Sequence, residues 1–227
     1  MSLARTAARA AAAPVARVSG VRGQARRQAG MDEAARRMLL YGVMPAWIGA
    51  GAVDWWRHRR TRIETTSGVG ESALHVLMMT EASIPTMLGL FCEVNAGVPV
   101  VAGGALGLHQ ATAYADVAFA QTRRHVSPGE QQVHSLLEVV PMAAAAILSI
   151  MHWDQTAGLL GRGGRRDWRL RPKERPLSGR VKTATLAGVV ILGALPYAEE
   201  MIRCLRARNS TGQDVGAAGP EPSAENI

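Results

Sequence analysis

Four stretches of the chain pair an imidazole with a carboxylate on one helical face. Asp54 and His58 are four residues apart, as are Glu71 and His75, and His134 and Glu138, whereas His109 and Asp116 are seven apart. At about 100° per residue, both spacings return to the same side of an α-helix. Nitrogen and oxygen donors together suit iron, manganese or zinc, and a set without thiolates disfavours copper(I). The predicted ligand shell is therefore Asp54, His58, Glu71, His75, His109, Asp116, His134 and Glu138. That shell suits two transition-metal ions, iron first, with zinc or manganese as alternatives. Glu64, Glu81 and Glu130 are expected behind the ligands as hydrogen-bonding partners. Glu81, about two turns deeper than His75, also suits a proton relay.

A single histidine beside an apolar run is ordinarily an interfacial or hydrogen-bonded residue, and any one of these pairs could be a plain ion pair. The metal reading stands on four matched pairs at one level. His125, beside Arg123 and Arg124, reads as a loop residue, and His152 lies at the wrong end of its helix. Glu93 shares a face with His75 but is about 27 Å away along the axis. Glu199 and Glu200 follow LPYA at a helix end on the site's side. They read as exposed helix-end acids, with a role at an entrance or toward a redox partner as the alternative.

These pairs must be carried by long apolar segments. The run from Met38 to Val53 becomes long enough to span a bilayer if its helix continues through Asp54 and His58, with Trp55 and Trp56 at the interface. Further runs extend from Ser72 to Val94, Gly97 to Ala120, Pro128 to Trp153 and Thr183 to Ile202. The expected fold is all-α, an integral-membrane up-and-down bundle of about five helices. In that topology the end of the first helix, the start of the second, the end of the third and the start of the fourth meet at one membrane face. In SPGE, Ser127 fits an N-cap, Pro128 the first helical position and Glu130 the reciprocal capping partner. Residues 1–30, with six Arg and no acid, read as a basic disordered tail or a targeting segment. Residues 31–208 read as the membrane domain and 209–227 as a disordered polar tail. The expected location is a bacterial inner membrane, or a mitochondrial membrane in a eukaryote.

The net charge of +8 raises a nucleic-acid reading, but aromatics are only 4% of the chain and the Arg residues flank apolar runs. Basic residues in that position are a mark of membrane topology. GVGESALH has no strand before it and makes no phosphate loop. Cys92 and Cys204 have no metal-binding or disulfide spacing.

The Asp, Glu and His set at residues 54–138 resembles that of di-iron carboxylate helical-bundle proteins and, more loosely, of histidine-rich membrane desaturases and hydroxylases. It departs from the first in having no Glu-x-x-His and from the second in having no clustered histidine boxes. The segment also resembles a small bacterial membrane-protein family of unknown function. A carboxylate-bridged metal pair among membrane helices suits an oxidoreductase acting on a lipid or other apolar small molecule held by the bilayer, with a redox partner as a candidate associate. A metal-dependent lipid hydrolase uses the same kind of centre. Two further classes compete: a b-type cytochrome with haem b between paired imidazoles, and an ion- or proton-relay or transport protein.

Overall fold

The computed structural model describes residues 23–24, 26–162 and 167–217, the last seven by backbone course alone. Residues 1–22 of the expected basic tail and 218–227 of the expected polar tail lie outside them. Contacts divide the chain into Met1–Met44 and Pro45–Ile227. In the first unit, residues 26–38 are helical and lead into a π turn, Leu39–Val43. Its helix is laced by exposed side-chain pairs, Arg37 to Glu33 at 2.8 Å and Gln28 to Asp32 at 3.0 Å.

The second unit is an all-α bundle. Its elements are α1 (Met44–Thr61), a 3-10 turn (Ile63–Thr65), α2 (Gly68–Phe91), α3 (Gly97–Gln121), α4 (Pro128–Met151), the short α5 (Trp153–Leu159), α6 (Gly179–Val189), a π turn (Val190–Ala194) and α7 (Leu195–Ala217). The last three run on as a single rod. Each π turn stands immediately before the same kind of signal, LLYGV before Met44-Pro45 and VILGA before Leu195-Pro196. A proline supplies no N–H to the carbonyl four residues back and crowds it, so the helix loosens to a wider turn there.

Helix starts follow local chemistry. Ser127 Oγ accepts the Glu130 N–H at 3.2 Å and Pro128 opens α4, while Ser178 Oγ accepts from Val181 N at 3.4 Å at the start of α6. The reciprocal half of the expected α4 capping box is replaced by another arrangement, since the Glu130 side chain turns inward. Chain reversal between α1 and α2 uses two left-handed residues, Arg62 at φ 53° and Gly68 at φ 59°. Close packing of α2 on α3 needs a glycine at Gly70, where a Cβ would collide with the Phe119 ring.

Among the described residues, three helices are long and apolar enough to cross a membrane: Gly68–Phe91, Pro128–Met151 and the rod Gly179–Ser210. The five apolar runs expected as helices are all helical: α1, α2, α3, α4 and the rod. The 18 residues of α1 end in Asp, Trp, Arg and His, and α3 is diluted by Gly, His, Gln and Asp. Burial is inverted relative to a water-soluble bundle. Val139 and Ile150 are 61% and 68% exposed, whereas His58, Glu71 and Glu200 are 0% exposed.

Candidate metal centre

The end of α1, the start of α2, the end of α3, the start of α4 and the α7 part of the rod converge at one end of the bundle. Asp54 and His58 come from α1, Glu71 and His75 from α2, Asp116 from α3, Glu130 and His134 from α4, and Tyr197 and Glu200 from α7. All are buried. The rod reaches the site because Val189, Gly193, Tyr197, Glu200 and Cys204 form one buried stripe at helical spacing.

Glu200 organises the centre. Its Oε2 is 3.0 Å from His58 Nδ1 and its Oε1 is 2.7 Å from His75 Nδ1. A carboxylate only accepts, so both imidazoles donate through Nδ1–H and, when neutral, leave Nε2 as a lone pair. The two rings stack in parallel, 4.5 Å between centroids and 4° between planes. This fixes where both lone pairs point.

Each Nε2 meets carboxylate oxygens. His58 Nε2 is 3.4 Å from Glu130 Oε1, 3.6 Å from Asp54 Oδ1 and 3.9 Å from Glu71 Oε1. His75 Nε2 is 3.4 Å from Asp116 Oδ1 and 3.9 Å from Glu71 Oε1. Glu71 therefore lies at equal distance from both rings. Asp54 Oδ1 faces His134 Nε2 at 3.1 Å, and Tyr197 donates its O–H to Asp54 Oδ2 at 3.1 Å. Among the described residues, two triads bring three ligand atoms within 4.8 Å of one another, Asp54–His58–His134 and His58–Glu71–His75, with His58 in both.

A metal fits this arrangement better than hydrogen bonding does. Asp54 Oδ1, Asp116 Oδ1 and the Nε2 atoms of His58 and His75 are buried without a hydrogen-bond partner. Separations of 3.4–3.9 Å exceed a normal N–H···O bond. The two at 3.4 Å match the ligand-to-ligand edge of a tetrahedral site whose bonds are about 2.1 Å. Charge argues the same way. Five buried carboxylates (Asp54, Glu71, Asp116, Glu130, Glu200) face one guanidinium, Arg124. With neutral imidazoles the cluster keeps an excess of negative charge that bound cations would offset. Protonating both stacked rings instead would place two cations face to face.

Arg124, from the loop between α3 and α4, closes the rim. Its guanidinium grips both oxygens of Glu71 and reaches Glu130 Oε1 at 2.5 Å. Burial works against its charge, yet the Glu71 and Glu130 carboxylates hold its pKa further above the ordinary arginine value.

Of the eight predicted ligands, the structure brings together Asp54, His58, Glu71, His75, Asp116 and His134. His109 and Glu138 line a cavity beside the cluster and belong to neither triad. Glu130, expected as a cap, stands against His58 instead. Glu81 accepts from Thr112 Oγ1 at 2.9 Å and faces His109. Glu64 is drawn away from the centre and pairs with Arg203. Sequence reasoning missed Glu200 and Tyr197. Glu199 does point outward, accepting from Trp55 Nε1 at 2.8 Å, but its neighbour Glu200 is 100° round the helix and faces the core. The buried stripe of the rod was the available signal. Compared with known proteins, the chain matches no family model, no curated protein and no solved structure.

Proposed function

We propose that this is an integral-membrane di-metal protein, most simply di-iron, working as an oxidoreductase on a lipid or other apolar molecule. The observation that carries the reading is Glu200 holding both Nδ1 atoms so that His58 and His75 present Nε2 to carboxylates, of which Asp54 Oδ1 and Asp116 Oδ1 have no hydrogen-bond partner. An outer carboxylate of this kind fixes ring orientation and raises ligand basicity. In this reading Asp54, Glu130 and His134 would hold one ion and His75 and Asp116 the other, with Glu71 and the single Nε2 lone pair of His58 completing the donor set. Bound metals would supply redox chemistry. The chain's own groups hold them, exclude water and place the substrate.

Two further features support the reading. An inverted distribution of apolar surface suits lipid around the bundle. The cavity touching His75, Asp116 and His134 is walled mainly by apolar side chains, as expected of a site for an apolar substrate. A haem between paired imidazoles fits poorly, because the His58 and His75 rings lie flat against each other and share one carboxylate.

Protein purified in detergent from cells grown with ⁵⁷Fe tests the metal identity. Mössbauer spectroscopy and near-ultraviolet absorption should show a coupled iron pair. Stoichiometric zinc without iron would move the proposal to a metal-dependent hydrolase, and a Soret band would refute it.

A further inference from the structure

Beside the cluster, between α1, α2, α3, α4 and the π turn of the rod, lies a cavity of about 70 Å³. One water needs only about 10–15 Å³ of such space. Trp47, Ile48, Met79, Val117, Leu137 and Leu192 make much of its wall. His109 interrupts that apolar lining.

His109 is 5% exposed, and neither ring nitrogen has a hydrogen-bond partner in the protein. Glu81, 3% exposed, stands behind it with Oε2 3.8 Å from Nδ1, and that oxygen is also unpartnered. Thr112 Oγ1 donates to the other Glu81 oxygen and so holds the carboxylate in place. The Met78 and Leu137 carbonyls lie near the ring without completing a hydrogen bond. Glu81, Glu138 and these two carbonyls are all acceptors. A neutral imidazole always has one acceptor nitrogen. In either tautomer that nitrogen of His109 has no donor from the described residues. Leaving a buried polar atom unmatched costs about 1–3 kcal/mol, so a ligand that supplies a donor is favoured there.

We propose that His109 anchors the hydroxyl of an otherwise apolar alcohol in this cavity, with Glu81 and Thr112 as positioning residues. The inference deepens the di-metal reading by naming the substrate class, and rests on it for the alcohol's fate, though not for its binding. A hydrocarbon would leave the acceptor nitrogen unmatched. A carboxylate ligand brings no donor and meets Asp54, Asp116 and Glu138 on the same walls.

The test uses the full chain labelled with ¹⁵N-histidine, in phosphatidylcholine nanodiscs, metal-free and then loaded with zinc. 1-Octanol, n-octane and octanoate are titrated at matched mole fraction in the bilayer, and the His109 signals are assigned by their loss in His109→Gln. Octanol should shift the acceptor nitrogen of His109 saturably, and octane and octanoate should leave it in place. Glu81→Gln should weaken octanol binding about tenfold with zinc content unchanged. Equal responses to octane and octanol, an imidazolium signature indifferent to octanol, or loss of zinc in His109→Gln would each overturn the inference. Octanol binding by a protein that takes up neither zinc nor iron would refute the di-metal reading and leave the alcohol site standing.

Discussion

At one end of the bundle the helices meet through ionisable side chains. At the other, α2 and α3 meet through Leu88, Val98 and Ala102, and the connecting loops are sewn together by backbone. There Glu93 N donates to Arg171 O and Lys173 N to Phe91 O, both at 2.9 Å. Asn95 donates to Arg169 O at 2.5 Å, and its Oδ1 accepts from Gly97 N and Val98 N, capping α3. A Cβ on Gly97 would stand 2.6 Å from the Trp168 carbonyl, so the loop can lie this close only over glycine. The apolar end shows that these helices can be joined without buried charge. Burying charges is costly and gives little net stability. The polar end is therefore better explained by what it binds than by what it holds together.

Substitutions should separate the two ends. The largest effect is expected from His58→Ala, which removes the residue common to both triads and should empty both metal positions. His134→Ala should empty mainly the Asp54 side, and elemental analysis of the purified variants distinguishes the two. Arg124→Ala leaves Glu71 and Glu130 without their cation. It should lower the stability of metal-free protein by about 3–5 kcal/mol, with metal restoring part of the loss, read by thermal unfolding with and without zinc. Leu88→Ala, at the apolar end, should cost about 2–5 kcal/mol while metal content stays at the wild-type level. Glu200→Gln keeps a hydrogen-bond acceptor but loses the charge that fixes both rings. Chelator competition should show metal affinity lowered about 10–100-fold. The smallest effect is Asn95→Ala, about 1 kcal/mol of lost capping without change at the metals.

Helix positions were largely legible because the apolar runs are long and their start signals local. Ser127-Pro128-Gly129-Glu130 shows this, placing the start of α4 where it lies. Asp54 with His58 and Glu71 with His75 meet because i, i+4 spacing is a property of the helix itself, whereas Asp116 and His134 reach the cluster without the partners their spacing suggested. The remainder depended on helix phase and depth across long separations. On α4, His134 shares the cluster with Glu130, one turn toward the bundle end. Glu138, one turn the other way, lines the cavity. Both carboxylates are four residues from His134, so spacing alone could not choose between them. Glu200 comes from more than 120 residues downstream of His75 and next to a second glutamate. Its role shows only when the rod's buried stripe is followed through Tyr197 to Cys204. All five apolar runs are helical, and α1 and α3 fall below membrane hydropathy because they carry site groups and small residues.

The most direct measurement is the metal-to-protein ratio of the full chain, purified in detergent without chelators and analysed for iron, zinc and manganese together. A pair of divalent ions offsetting the excess negative charge predicts about two metal ions per chain, falling toward zero in His58→Ala. A wild-type protein that carries none, and takes up none when offered each metal in turn, would contradict it.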